Sequence, residues 1–266
     1  MYILPAKSRI PYIFLEKCKI DSQNNQFVIN NKYGNCSLPI EQYMCIYLEP
    51  GTSITHNAIK IATKYNTNIF IVGERASIIY SFGKSNWGDS NNIKTQLLYH
   101  TNPTLKNKII KKLLEKRFNE KFPEKRSIDQ LRGLEGYKMK EEYQKLSKTF
   151  NIPWNGRKSY PFDEIDEINK CITIGNMCLY GIVETAILNL GFLPSIGFLH
   201  GEGNKALVYD ISDIFKLKTS ILTAFHLISN NKSHLEMKHE FNKFLKTNNI
   251  IKEIFSTIKQ LFDTTI

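Results

Sequence analysis

Residues 171 to 199, CITIGNMCLYGIVETAILNLGFLPSIGFL, carry a single charged side chain, Glu184. A segment this long and apolar has two physical solutions: it spans a bilayer, or it is buried on all sides within a protein. Asn176, Asn189, Pro194 and four glycines interrupt it, and the approach, FDEIDEINK, is acidic where a membrane span would be anchored by bases. The segment therefore reads as a central buried helix, with no membrane partner. A chain of 266 residues, 42% of them hydrophobic, has the material for two modest cores or one large one around it.

The first 83 residues read as short strands: YIFLEKCKI, QFVINN, YMCIYLE, NIFIVG and SIIYSFG are β-branched or aromatic, separated by Asn, Gly and Pro. One helix, THNAIKIATKY (55 to 65), interrupts them, with Thr55 as its cap. GKSNWGDSNN then has the composition of a linker. Beyond it, periodicity predicts helices over 93–101, 104–121, 127–150, 163–191, 210–228 and 232–264, the last broken near Asn248 and Asn249. The expected fold is α+β in two domains. A small β-rich amino-terminal domain (1–83) and a linker (84–92) precede a larger all-α domain (93–266). Five widely spaced cysteines with no CxxC pair argue against a disulfide framework or a structural zinc site. With no signal-like start in MYILPAKSRIPYIF, the expected location is cytoplasmic.

Charge narrows the partner. The net charge is +11, and residues 104 to 126 hold nine Lys and Arg against three Glu. Leu105, Ile109, Leu113 and Leu114 recur at helical spacing, leaving Lys108, Lys111 and Lys112 on the other faces. Such a helix suits a phosphate backbone, or is an ordinary solvated face.

Within this basic chain a few acids stand out. In SIDQLRGLEGYKMKEEYQKL (127 to 146), Glu135 occupies a stripe with Ile128, Leu131, Met139, Tyr143 and Leu146, where an apolar residue is expected. A carboxylate on a buried face needs a cation, a donor or a metal. Gly133 and Gly136 flank it, each costing about 1 kcal/mol against alanine in a helix interior, which predicts a close approach there. The alternative is a salt bridge from Glu135 to a nearby Lys or Arg, with glycines that serve helix packing. In HGEGNKALVYDISD (200 to 213), Asp210 and Asp213 lie three apart, on one side of a helix or as caps near its start. His200 joins them as a ligand, or is a satisfied core histidine. Together, one imidazole and two or three carboxylates suit Mg²⁺ or Mn²⁺ rather than zinc.

LRGLEG, WNGRKSYPF, CLYGIVETAIL and LPSIGFLHGEGNKALVYDISDIFK, in that order, resemble the CRISPR-associated Cas1 integrases, particularly the type I-E branch. YIFLEKCKID and YLEPGTSITHNAI near the start are similar to that branch too, so the resemblance covers nearly the whole chain. It implies a metal-dependent DNA integrase and endonuclease. The 3′-hydroxyl of a captured duplex, the protospacer, attacks a phosphodiester at each boundary of a CRISPR repeat. Glu135, His200 and Asp210 match the family's metal ligands, and Asp213 matches a catalytic acid beside the metal. Arg132, Arg157, Lys158 and Lys205 are implied phosphate contacts. Tyr180 and Tyr209 are implied base contacts, or else pack the helical core. The implied assembly is a homodimer paired through the β-rich domain, with a Cas2 dimer bridging two homodimers on double-stranded DNA.

Two features depart from the branch: an end at Ile266, where some relatives continue into a tail, and Glu202 beside His200. Two rival readings stay open, a non-catalytic DNA-binding scaffold and a freestanding metal-dependent nuclease acting on branched DNA.

Overall fold

The computed structural model describes residues 4–24, 26–74, 78–83, 90–122, 128–201 and 203–263, with the backbone alone at 81–83, 90, 128 and 129. Residues 84–89 of the expected linker, and Glu202, lie outside the described residues, and Ser90–Asn92 already belong to a helix. The fold is α+β: a strand-rich amino-terminal region followed by an almost entirely helical one.

The strands are β1 (Ile10–Leu15), β2 (Lys19–Gln23), β3 (Gln26–Asn31), β4 (Gly34–Leu38), β5 (Tyr43–Leu48), β6 (Ser53–Ile54), β7 (Asn68–Val72) and β8 (Ile79–Gly83). The run YIFLEKCKI, expected as one strand, is two. The chain turns at Lys17, whose φ of 47° is left-handed, and passes from one sheet to the other. One sheet has the order β1-β5-β7-β8, parallel except for β8, and the other has the order β4-β3-β2-β6. Helix α1 (His56–Lys64) is capped by Thr55, whose hydroxyl accepts from the Ala58 amide, as expected from the sequence.

Alternation along β5 serves two cores at once. Ile46 and Leu48 face a core shared with Ile20 and Phe27 of the second sheet and Ile61 of α1. Cys45 and Tyr47 face the helices.

The helical region comprises α2 (Ser90–Thr101), α3 (Pro103–Phe118), α4 (Ile128–Phe150), α5 (Glu167–Asn189), α6 (Ala206–Lys216), α7 (Leu222–Ser229), α8 (Met237–Thr247) and α9 (Ile250–Phe262). Helix α5 is the centre. By length and composition alone it could cross a bilayer, but 89% of its most apolar window is buried inside the protein. That is why the segment needs almost no charge. Tyr47 Oη donates to the Cys178 carbonyl at 3.0 Å, and Asn68 Nδ2 donates to Thr185 Oγ1 at 3.2 Å, so the sheet docks on α5 with its buried polar groups paired. A Cβ at Gly181 would lie 1.9 Å from Tyr47 Oη, and this approach requires glycine.

Helix α6 begins at Ala206, earlier than the expected residue 210, and continues through a π turn (Leu217–Ile221) into α7. Asp210 and Asp213 are therefore mid-helix, and the capping role does not hold. Among the described residues, the close approach expected at Gly133 and Gly136 is absent as well: a Cβ at either would meet none of their atoms beyond its own helix backbone within 4 Å.

Candidate functional site

Residues 190 to 205, between α5 and α6, carry His200, and side chains from three directions hold this segment. From α2, Gln96 Nε2 donates to the Leu193 and Ile196 carbonyls at 2.9 and 2.7 Å, and its Oε1 accepts from the Leu193 amide at 2.8 Å. From α4, Arg132 Nη2 donates to the Leu199 carbonyl at 2.7 Å. From α6, Asp210 accepts the amides of Phe198 and Leu199 on Oδ2, at 2.5 and 3.2 Å, and that of His200 on Oδ1 at 2.9 Å. Gly197 permits this packing, since a Cβ there would lie 2.7 Å from the Ala206 backbone.

Asp210 also fixes the imidazole. His200 Nδ1 donates to Asp210 Oδ1 at 2.8 Å, which leaves Nε2 as the free nitrogen of the neutral ring. Nε2 faces Asp213, 3.7 Å from Oδ2. The hydrogen bond His200 donates to Asp210, and then the charges of Asp213, Asp210 and Glu135, raise the His200 pKa against the effect of burial.

Asp213 and Glu135 share a cation that the sequence reading missed. Arg117, in the last turn of α3, bridges them through Nη1, which lies in close contact with Glu135 Oε1 and 3.3 Å from Asp213 Oδ2. Lys216 Nζ, also missed, lies 2.6 Å from Asp213 Oδ1. Burial pushes the Asp213 carboxyl up, but Lys216, Arg117 and His200 outweigh it and hold its pKa below the ordinary range. The salt-bridge alternative for Glu135 is thus realised, with Arg117 as the partner.

As they stand, no three His, Cys, Asp or Glu among the described residues form a group ready to hold a metal ion. The reason is visible in the geometry, since Arg117 sits between two of the acids. The donor set itself, two carboxylates and an imidazole nitrogen, fits a divalent cation of the Mg²⁺ or Mn²⁺ kind. Both oxygens of Asp210 are committed to the His200 segment, whereas Asp213 lies 3.7 Å from Nε2 and shares Arg117 with Glu135.

Of these groups, Arg117, Asp213 and Lys216 open onto a cleft of about 690 Å³. Among the described residues, Arg117, Arg157, Lys205 and Lys216 line it against a single carboxylate, Asp213. Tyr180 and Tyr209 meet edge to face with centroids 5.1 Å apart, and Lys216 Nζ lies 4.8 Å above the Tyr180 ring. Arg157 is braced on α5, donating to Asn169 Oδ1 at 3.0 Å and Thr173 Oγ1 at 2.9 Å.

Other expected contacts lie elsewhere. Arg132 and Lys158 do not line the cleft, and neither do Lys108, Lys111 and Lys112. Lys111 pairs with Glu115 at 3.8 Å, and Lys108 is about 14 Å along α3 from Arg117 at the rise of an α-helix. The basic face and the cleft are two surfaces joined by one helix.

Glu184, the one charge in the apolar segment, is wholly buried, with Lys205 Nζ at 3.5 Å. Desolvation raises its pKa above the ordinary 4.5, with Lys205 only partly opposing. The folded state therefore holds this proton more tightly than the unfolded chain. Its contribution to stability is greatest below the unfolded pKa and is lost as pH rises through the folded value. Glu184→Gln is expected to flatten the fall in urea midpoint between about pH 4 and pH 7, and an unchanged slope would contradict the assignment.

The family model described as CRISPR associated protein Cas1 matches residues 11–121 and 87–259. The CRISPR-associated endonuclease Cas1 of Escherichia coli (strain K12) is 37% identical over 231 residues, covering 86% of this chain and 76% of its own. The CRISPR-associated endonuclease Cas1 3 of Methanospirillum hungatei JF-1 is 32% identical over 263 residues, covering 97% and 88%. The crystal structure of the TtCas1-DNA complex superposes with a TM-score of 0.84 at 25% identity, covering 96% of this chain and 92% of that one. Likeness on this scale runs through both the sheets and the helices that carry the cleft, and the chain belongs to the Cas1 family of CRISPR-associated proteins.

Proposed function

We propose that this chain is a metal-dependent DNA integrase and endonuclease of CRISPR adaptation, of the type I-E kind, acting in the cytoplasm. The observation that carries the reading is that Asp213, which faces His200 Nε2 and shares Arg117 with Glu135, lines a cleft where the other charged side chains among the described residues are Arg117, Arg157, Lys205 and Lys216. Glu135, His200 and Asp213 would hold the metal, and Asp210 would hold His200. A divalent cation there supplies charge neutralisation on the phosphoryl oxygens and favours the alkoxide form of an attacking hydroxyl.

The chain's own residues do the positioning. Arg157, Lys205 and Lys216 hold the phosphodiester backbone in the cleft, and their fixed charges oppose the negative charge that builds during transesterification. Tyr180 and Tyr209 offer ring faces and hydroxyls to bases near the reacting end. The 3′-hydroxyl of a protospacer displaces a 3′-hydroxyl at the repeat boundary, so one phosphodiester replaces another and no nucleotide cofactor is consumed. Lys108, on the exposed face of α3, extends the positive surface for duplex DNA, with Lys111 and Lys112 beside it.

The assembly is a homodimer bridged to a second by a Cas2 dimer, with the β-rich domain (1–83) as the pairing surface. In support, β8 is an edge strand, and Ile71, Ile78 and Tyr80 are exposed on the β7–β8 hairpin.

A gel assay of strand transfer tests the reading, using the protein with its Cas2 partner, a labelled duplex with free 3′-hydroxyls and a repeat-bearing plasmid. Label is expected to join the plasmid only with Mg²⁺ or Mn²⁺ and only with His200 intact. Binding without joining, unaffected by His200→Ala, would favour the scaffold. Cleavage without joining would favour the freestanding nuclease.

A further inference from the structure

We propose that Arg117 is the resident counter-ion of Glu135 and Asp213, which a divalent cation must displace, and that the freed guanidinium then binds the DNA backbone in the adjoining cleft. The inference rests on the metal site of the preceding section and goes beyond it, because it links metal loading to DNA loading through one side chain.

Charge balance is the first ground. Asp210 is already occupied by three amides and His200, so the acids left to attract a cation are Glu135 and Asp213. Arg117 and Lys216 neutralise them as a pair. A dication added to that balanced set meets two positive groups at contact distance, with water largely excluded and screening weak.

Geometry is the second. The Arg117 side chain is 7% exposed, yet its Nε has no hydrogen-bond partner among the described residues. A buried guanidinium with a purely structural role satisfies its donors, because an unmade bond there is costly. Here one nitrogen bridges both acids while another is orphaned. That is a seat built for the acids' charge and incompletely built for the arginine.

The third is where the side chain can go. Arg117 lines the same cleft as Arg157, Lys205 and Lys216, so a displaced guanidinium stays on the wall that faces a polyanion. There it regains a planar, bidentate partner in a phosphate. Each ligand thus removes an obstacle to the other, and the coupling is reciprocal.

The test titrates Mn²⁺ into the full-length protein and reads the free ion by its electron paramagnetic resonance signal, with and without a short duplex. The parent is expected to bind Mn²⁺ at least about tenfold more tightly with the duplex present. Arg117→Gln is expected to bind it at least about tenfold more tightly than the parent without DNA, and to lose most of the gain from the duplex. Arg117→Lys, which keeps the charge, should stay near the parent.

Melting in chelator guards against a folding defect. Arg117→Gln should melt lower than the parent there and recover with Mn²⁺, since a ligand that binds only the folded state stabilises it. A folded Arg117→Gln with parental Mn²⁺ affinity would overturn the counter-ion role, and so would a duplex that leaves the parent's affinity unchanged. Failure of the metal site itself looks different: no form binds Mn²⁺ even with duplex present, and Glu135→Gln changes nothing.

Discussion

Asp213→Asn is expected to lower the initial rate of strand transfer at least about a hundredfold, more than an outer contact to a metal ligand usually costs. Asp213 is the acid on which His200 Nε2, Arg117 and Lys216 all converge. Asparagine keeps its size and removes the charge, so the loss reads the carboxylate itself. Initial rates at saturating DNA and Mn²⁺ measure it. A variant within a few fold of the parent would mean that the convergence on Asp213 has no chemical role.

Asp210→Ala is expected to act first on the fold, costing about 3 kcal/mol, the scale for stranding buried partners of a carboxylate. The residue is 2% exposed, and removal of its side chain leaves the amides of Phe198, Leu199 and His200 without this acceptor. Urea unfolding reads this loss directly. Asparagine is no remedy, because its amide nitrogen would face donors at one of the two oxygen positions. If Asp210→Ala kept parental stability and lost only metal affinity, Asp210 would be the ligand and the proposed set of Glu135, His200 and Asp213 would be wrong.

The different surroundings of the two aspartates mark the limit of what could be read from the sequence. Spacing by three told that Asp210 and Asp213 share a side of a helix, and it could not tell which neighbours face them. The difference lies in the turn 197–200, whose amides point at Asp210 because Gly197 lets the segment pack against Ala206. Arg117 was hidden for a related reason. It belongs to a run of nine bases in which nothing local separates it from its neighbours, and only the packing of α3 against α4 and α6 brings it to the acids. Gln96 left no signal either, since its bonds are to backbone nearly a hundred residues away.

What was legible followed from periodicity and composition. The nearly chargeless segment required burial, and α5 is the buried centre of the helices. Helix α1 starts at its predicted cap, and the break before α9 falls at Asn248 and Asn249. The strand run through residues 12 to 20 misled because nothing but a left-handed Lys17 marks its turn, and lysine is not a residue that advertises one. Gly133 and Gly136 misled in the opposite direction: they suggested packing against the protein, and among the described residues the space beside them is open.

Anomalous diffraction from a manganese-soaked crystal of the protein with a short duplex tests the central claim most directly. One manganese is expected, held by Glu135, His200 Nε2 and Asp213, with Asp210 still on the amides of 198–200 and Arg117 turned to a phosphate in the cleft. A crystal with DNA in the cleft, Arg117 still between the two acids and no manganese among them would contradict it.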